Sequence, residues 1–129
     1  MSTKERNASE RTRTVTWADP ALCMEEAGRM SGLDYMRALK DGEVTPPPIC
    51  NLIDFKATRV EPGLTVFEIT PAEYHYNPFG AVHGGIASLI LDSAMACAVH
   101  SMLPKGVGYT SLEVKVNFIR PITVEAGPL

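Results

Sequence analysis

The sequence predicts an α+β protein in which a curved antiparallel sheet wraps around one long central helix. The first observation is the run from Gly84 to Leu103, about five helical turns long, in which Asp92 is the only acid and no lysine or arginine occurs. Projected as a helix, one side carries Ser88, Leu89, Asp92, Met95, Ala96 and Val99, and the far side carries Ala87, Ile90, Leu91, Ala94, Ala98 and Ser101. A helix without a charged face has to be covered all round. The second observation is a change of period to two before and after that run. Ile53, Phe55 and Ala57 alternate with Asp54, Lys56 and Thr58; Leu112, Val114, Val116 and Phe118 alternate with Glu113, Lys115 and Asn117. The third is size. A chain of 129 residues makes about one domain and removes roughly two thirds of its unfolded surface from water. The cover available to the helix is therefore a sheet and a second subunit.

Taken in order, residues 1 to 14 are polar and without periodicity, which predicts a mobile tail. Residues 15 to 48 form a helical extension. Asp19 can cap its first helix with Pro20 at the first helical position, Ser31 and Asp34 make an S-x-x-D capping pattern for the second, and Gly42 can end it in a left-handed conformation. Pro46, Pro47 and Pro48 predict an extended connector. Residues 49 to 129 are the main domain. A strand starting near Leu52 turns at Glu61-Pro62-Gly63 and returns from Leu64 to Thr70 as a hairpin. Pro71 to Val82 is a loop, the long helix comes next, and Pro104, Gly106 and Gly108 close it. The strand Leu112 to Phe118 has the cleanest alternation in the chain, one face for packing and one for water.

Composition excludes several classes. Apolar residues at 45% and charged residues at 21% are ordinary for a globular protein. A formal charge of -3 with scattered lysines and arginines offers no stripe for nucleic acid. Cys23, Cys50 and Cys97 are three in number, widely spaced, and accompanied by no apolar leader, so reduced thiols in a cytoplasm are expected. A membrane reading of the Gly84 to Leu103 run is disfavoured by Asp92, because a carboxylate at mid-span costs about 2.5 to 3.5 kcal/mol on insertion.

Asp92 has two readings. A carboxylate removed from water without a partner is costly, so such groups are paired, hydrogen-bonded or kept for chemistry. In the first reading Asp92 accepts hydrogen bonds from loop amides or Ser88 and is structural. In the second it is a general base or nucleophile in a dry pocket. Gly84 and Gly85 carry the same ambiguity. They let a substrate oxygen approach the free amides and the positive end of the helix, an oxyanion hole in outline, or they let backbone pack on sheet.

The run Asn77, His83, Gly84-Gly85 and Asp92, followed by SLEVKVNFIRP from Ser111 to Pro121, resembles the PaaI-like branch of the hotdog-fold acyl-CoA thioesterases. TVTWADPALC, GLDYMRALKDGE and the triple proline resemble the N-terminal extension of some members. The resemblance implies a curved sheet around the helix, and a homodimer or dimer of dimers with the site at the subunit interface. It implies Asp92 as the carboxylate that activates water or attacks the thioester, Gly84 N–H as oxyanion donor, Asn77 holding the thioester or the acid, His83 orienting the turn or the substrate, and Ser111 positioning water. Gly85, Tyr76 and Phe79 are candidates for contacting substrate, and Tyr74 joins the two aromatics as a candidate to line an acyl pocket, the three otherwise anchoring their loop. A thioester carbonyl is electrophilic and a thiolate leaves readily, so one base and one oxyanion donor suffice; neither metal nor cofactor is expected. The family continues with further strands, and the chain is expected to be C-terminally truncated, with the Leu112 to Phe118 strand left at an edge.

The remaining motifs read blandly. His75 fits a loop residue, and His75, His83 and His100 lack metal-ligand spacing. Cys97 and His100 share a helix face, but a packed cysteine is commoner than a nucleophilic dyad. A non-catalytic acyl-CoA binding module and an inactive fragment are the alternatives to an enzyme; a hotdog dehydratase, which wants a histidine and acid pair, ranks below them.

Overall fold

The computed structural model describes residues 10 to 129. Four helices, α1 (Pro20–Arg29), α2 (Gly32–Asp41), α3 (Pro48–Ile53) and α4 (Gly84–His100), accompany two strands, β1 (Phe55–Glu61) and β2 (Leu64–Ile69), with short 3-10 turns at Glu73–His75 and Val124–Ala126.

The helix boundaries reflect local chemistry. Asp19 Oδ1 accepts the Ala21 amide at 2.9 Å, Ser31 Oγ accepts the Asp34 amide at 3.2 Å, and Gly42 closes α2 at φ 74°, a conformation open to glycine without steric penalty. The proline connector is a correction. Pro48 opens α3, because a proline at the first helical position lacks an amide that would be unpaired there anyway. Leu52 and Ile53 therefore belong to a helix, Asp54 ends it at φ 67°, and β1 begins only at Phe55.

β1 and β2 pair antiparallel from Phe55 with Ile69 to Glu61 with Leu64, and the register shifts between Ala57 and Arg59. That bulge resets the alternation. Phe55 and Ala57 point inward, and the next inward residue is Val60 rather than Arg59. The inner face meets α2 to form the core: Tyr35, Met36, Ala38 and Val44 against Phe55, Ala57, Val60, Phe67 and Ile69. Met36 is wholly buried, which contributes roughly 1.5 to 3 kcal/mol relative to exposure.

α4 lies against β2, where Thr65 Oγ1 donates to Ala94 O at 2.7 Å. At the far end the buried Ser101 Oγ accepts the Gly63 amide at 2.9 Å and donates to Ala98 O. No residue of α4 is fully buried, so the all-round cover that its composition calls for is partial. The strand expected over Leu112 to Phe118 is a second correction. It carries no ladder hydrogen bonds, and Leu112 is 96% exposed. Alternation prepares one face but a strand forms only against a partner, and among the described residues the outer edge of β2 is met by Leu129, which exchanges two hydrogen bonds with Ile69.

Within the expected N-terminal tail, residues 10 to 14 carry side-chain contacts to the rest of the chain; residues 1 to 9 lie outside the described ones. Arg13 donates to Leu52 O at 2.7 Å and Asn51 O at 2.8 Å, and its guanidinium stands 4.3 Å over the Tyr74 ring. Arg11 pairs with Glu73 at 2.6 Å. These residues form a strap across the end of α3. Among the described residues, no helix is long and apolar enough to cross a membrane.

Candidate active site

The loop before α4 is organised by its own polar groups. Asn77 Oδ1 accepts the amides of Phe79 at 2.9 Å and Ala81 at 3.2 Å, an Asx-type turn, which leaves its side-chain nitrogen as the group able to reach outward. Tyr76 bridges to Val82, and its hydroxyl accepts the Val124 amide at 2.9 Å. Phe79 is 92% exposed.

His83 is the N-cap of α4. Its Nδ1 accepts the Gly85 amide at 2.8 Å, so that amide is occupied within the chain. The hydrogen bonds of the loop and cap leave the Gly84 amide unused, at the end of the helix where partial positive charge gathers. A Cβ added at Gly84 would stand 3.0 Å from Phe118 Cζ; the ring of Phe118 covers this glycine.

Asp92 is half-buried on α4. Ser111 Oγ donates to its Oδ1 at 2.6 Å, a charge-assisted hydrogen bond of the strong class. Strict alternation puts Ser111 on the face with Glu113, and both do line a cleft of about 200 Å³ with Asp92, Met95, Ala96, Val99 and Tyr109. Val114 lines that cleft too, and with Val116 and Phe118 it also lines an open cleft of about 500 Å³ shared with Gly85, Ser88, Leu89 and Asp92. Asp92 stands where the two clefts meet. A more apolar cavity, also about 500 Å³, lies between β2 and another side of α4; Asp92 and Ser111 do not reach it.

Eight residues separate Gly84 from Asp92 on one helix, about 12 Å along its axis. Groups that act on one carbonyl stand about 3 Å from the reacting atoms. A single chain therefore cannot bring its own Asp92 and its own Gly84 amide to the same thioester.

Cys97 and His100 do not form a reactive pair. Burial raises the Cys97 thiol, whose sulfur lies 3.9 Å from the Tyr109 hydroxyl, and burial lowers His100, whose ring is tilted against Tyr35 and Tyr109. Both shifts favour the neutral forms. Cys50 is pushed up to about 11 by burial. Its alkylation by iodoacetamide in the folded protein is expected to lag that of the unfolded chain at least tenfold at pH 8, read by mass spectrometry of the Cys50 peptide; equal rates would contradict its burial.

His75 was legible only as a loop histidine. It is buried at 3% exposure, Nδ1 accepts the Ala72 amide at 3.0 Å, and Nε2 lies 2.8 Å from Ile53 O. Nothing in the spacing announces the long-range partner Ile53.

A profile described as the thioesterase superfamily matches residues 79–126, the span that holds His83, Gly84, Asp92 and Ser111. A protein of Halobacterium salinarum named "putative esterase" is 43% identical over 44 residues, 33% of this chain and 29% of that protein; the match spans less than a third of that relative's length. The crystal structure of a phenylacetic acid degradation-related protein of Ralstonia eutropha JMP134, titled a "putative thioesterase", superposes with a TM-score of 0.64 at 25% identity, over 73% of this chain and 71% of that one.

Proposed function

We propose that the chain is a member of the thioesterase superfamily, in its PaaI-like hotdog branch, and that it hydrolyses a medium-chain or aromatic acyl-CoA thioester to free acid and coenzyme A. The observation that carries this reading is the Asp92 carboxylate, held by Ser111 at 2.6 Å where two clefts meet on an otherwise apolar helix. Burial and one strong hydrogen bond orient one carboxylate oxygen and leave the other for chemistry.

In the proposed reaction a water oxygen attacks the thioester carbon as Asp92 takes its proton, or Asp92 attacks directly and water resolves the resulting anhydride. The carbon–sulfur bond breaks and the coenzyme A thiolate leaves. Gly84 N–H stabilises the developing oxyanion at the helix end. His83 keeps that end in place through the Gly85 amide. The side-chain nitrogen of Asn77 and the aromatic rings of Tyr76 and Phe79 are assigned to the substrate, with Gly85 shaping the backbone approach. Because about 12 Å separates Gly84 from Asp92 along one helix, the site is assigned to a homodimer or dimer of dimers, each copy lending one half. The working compartment is assigned as cytoplasm, in keeping with three free cysteines.

The test is release of free thiol from a panel of acyl-CoAs, with ligand binding measured in parallel. Saturable binding without thiol release for every member would replace the enzyme with a binding module. Within an active protein, Ser111→Ala is expected to lower kcat about tenfold with KM held within about twofold, since the hydroxyl acts on the base and the attacking water rather than on ground-state binding. A rise in KM alone would move Ser111 out of this role.

A further inference from the structure

We infer that His75 is a positioning residue for this reaction, fixing the backbone carbonyl on which the N-terminus of α4 is hung. The inference rests on the proposed thioesterase reading, and it concerns a residue that does not touch the reacting atoms.

His75 joins three segments. Its Nδ1 accepts the Ala72 amide at 3.0 Å, and since an amide can only donate, Nδ1 is the nitrogen without a proton. The proton then sits on Nε2, which donates to Ile53 O at 2.8 Å, 22 residues back at the end of α3. Its own carbonyl accepts the His83 amide at 2.8 Å. His83 is the cap of α4, and Gly84, the proposed oxyanion donor, is the next residue. The ring therefore sets the carbonyl, the carbonyl sets the cap, and the cap sets the donor.

Its surroundings make the ring hard to move. Tyr74 meets it edge-on at 4.5 Å, and Tyr74 is itself held by Arg13 over its face and by its hydroxyl on Asp54 at 3.2 Å. The strap formed by Arg11 and Arg13 thus braces the same 3-10 turn. The ring also borders the apolar cavity between β2 and α4, where a leucine would fill space without a polar group to satisfy. A histidine with both nitrogens committed to backbone is there for its bonds.

Oxyanion stabilisation depends on a donor placed to within a fraction of an ångström, and a 1 Å misplacement far from the chemistry can cost about 100-fold. Two variants separate the contacts. Asn at position 75 can keep an acceptor for the Ala72 amide but cannot reach Ile53, whereas Gln can reach Ile53 with its side-chain nitrogen. His75→Asn is expected to lower kcat about 10- to 100-fold with KM within about twofold, and His75→Gln to recover at least part of that loss. In the Asn variant, hydrogen exchange at the His83 and Gly85 amides is expected to accelerate at least about tenfold relative to amides in the β1–β2 ladder. Unchanged exchange at His83 overturns the inference whether or not turnover is found. Unchanged kcat in a folded His75→Asn protein overturns it while leaving the thioesterase reading intact. Absence of turnover in the parent protein, with His83 exchange accelerated in the variant, overturns the catalytic part of the inference together with that reading and leaves the structural linkage standing.

Discussion

Asp92→Asn is expected to lower kcat by about 100- to 10,000-fold, the range for removing a positioned general base, with little change in the melting temperature. Asparagine keeps the size of the side chain and keeps a carbonyl oxygen to accept the Ser111 hydroxyl, now 2.6 Å away. A structural role for Asp92 would survive this change and a chemical role would not. The substitution therefore distinguishes the two readings left open by the sequence, and steady-state thiol release alongside thermal melting reads both. Full turnover in Asp92→Asn would return the residue to the structural reading.

The same logic tests the proposal that two chains share the site. Gly84→Pro removes the proposed donor outright, yet proline suits the first helical position, and His83 at φ -58°, ψ 133° already has the conformation that a succeeding proline requires. Phe118, 64% exposed, has room to swing away from the added ring. Each variant alone is expected to be inactive. Mixed, unfolded and refolded together, they are expected to recover about a quarter of parent activity, because half of the random dimers are mixed and one of their two symmetric sites is intact. No recovery in a mixture shown to contain mixed dimers would mean that Asp92 and Gly84 do not meet across an interface.

The parts of the fold governed by neighbours in sequence were the legible ones. Asp19, Ser31 and Gly42 bound their helices as their chemistry dictates, because a cap needs only the next turn of its own helix. The hairpin was legible for the same reason, but its bulge was not: Thr58 looks like any outward residue until pairing with β2 skips it. α3 was missed because three successive prolines permit both an extended path and a helical start, and the choice falls to the packing of the residues after Pro48. The Leu112 to Phe118 segment failed in the opposite direction, its alternation being strong and its ladder partner lying outside anything the segment encodes. At the site, the sequence brought Asp92, Gly84 and His83 onto one element, which periodicity can do. The Ser111 bond to Asp92, the commitment of Gly85 N–H to His83 and of Asn77 Oδ1 to its own loop, and the reach of His75 to Ile53 are all facts of tertiary placement.

Gly32→Ala is expected to be the most damaging single-methyl change to the fold, destabilising it by about 3 kcal/mol, or roughly 10 °C in melting temperature for a domain of this size. Gly32 opens α2 at the point where the end of α4 crosses it. Its amide donates to Leu103 O at 3.0 Å, and a Cβ built on it would lie 1.7 Å from His100 O and 2.6 Å from His100 C. Both obstructing atoms are backbone, so no rotamer change relieves them. Either α2 retreats, loosening Tyr35 and Met36 from the core, or α4 tilts at its C-terminal end, where His100 rests against Tyr35 and Tyr109. Gly28 supplies the control. It lies in α1 with nothing within 4 Å of an added Cβ, so Gly28→Ala is expected to stabilise by about 0.5 to 1 kcal/mol through helix propensity alone. Equal melting temperatures for the two variants would mean that α2 and α4 do not approach each other as closely as the Gly32 contact requires, and the orientation of the helix that carries Asp92 would have to be redrawn.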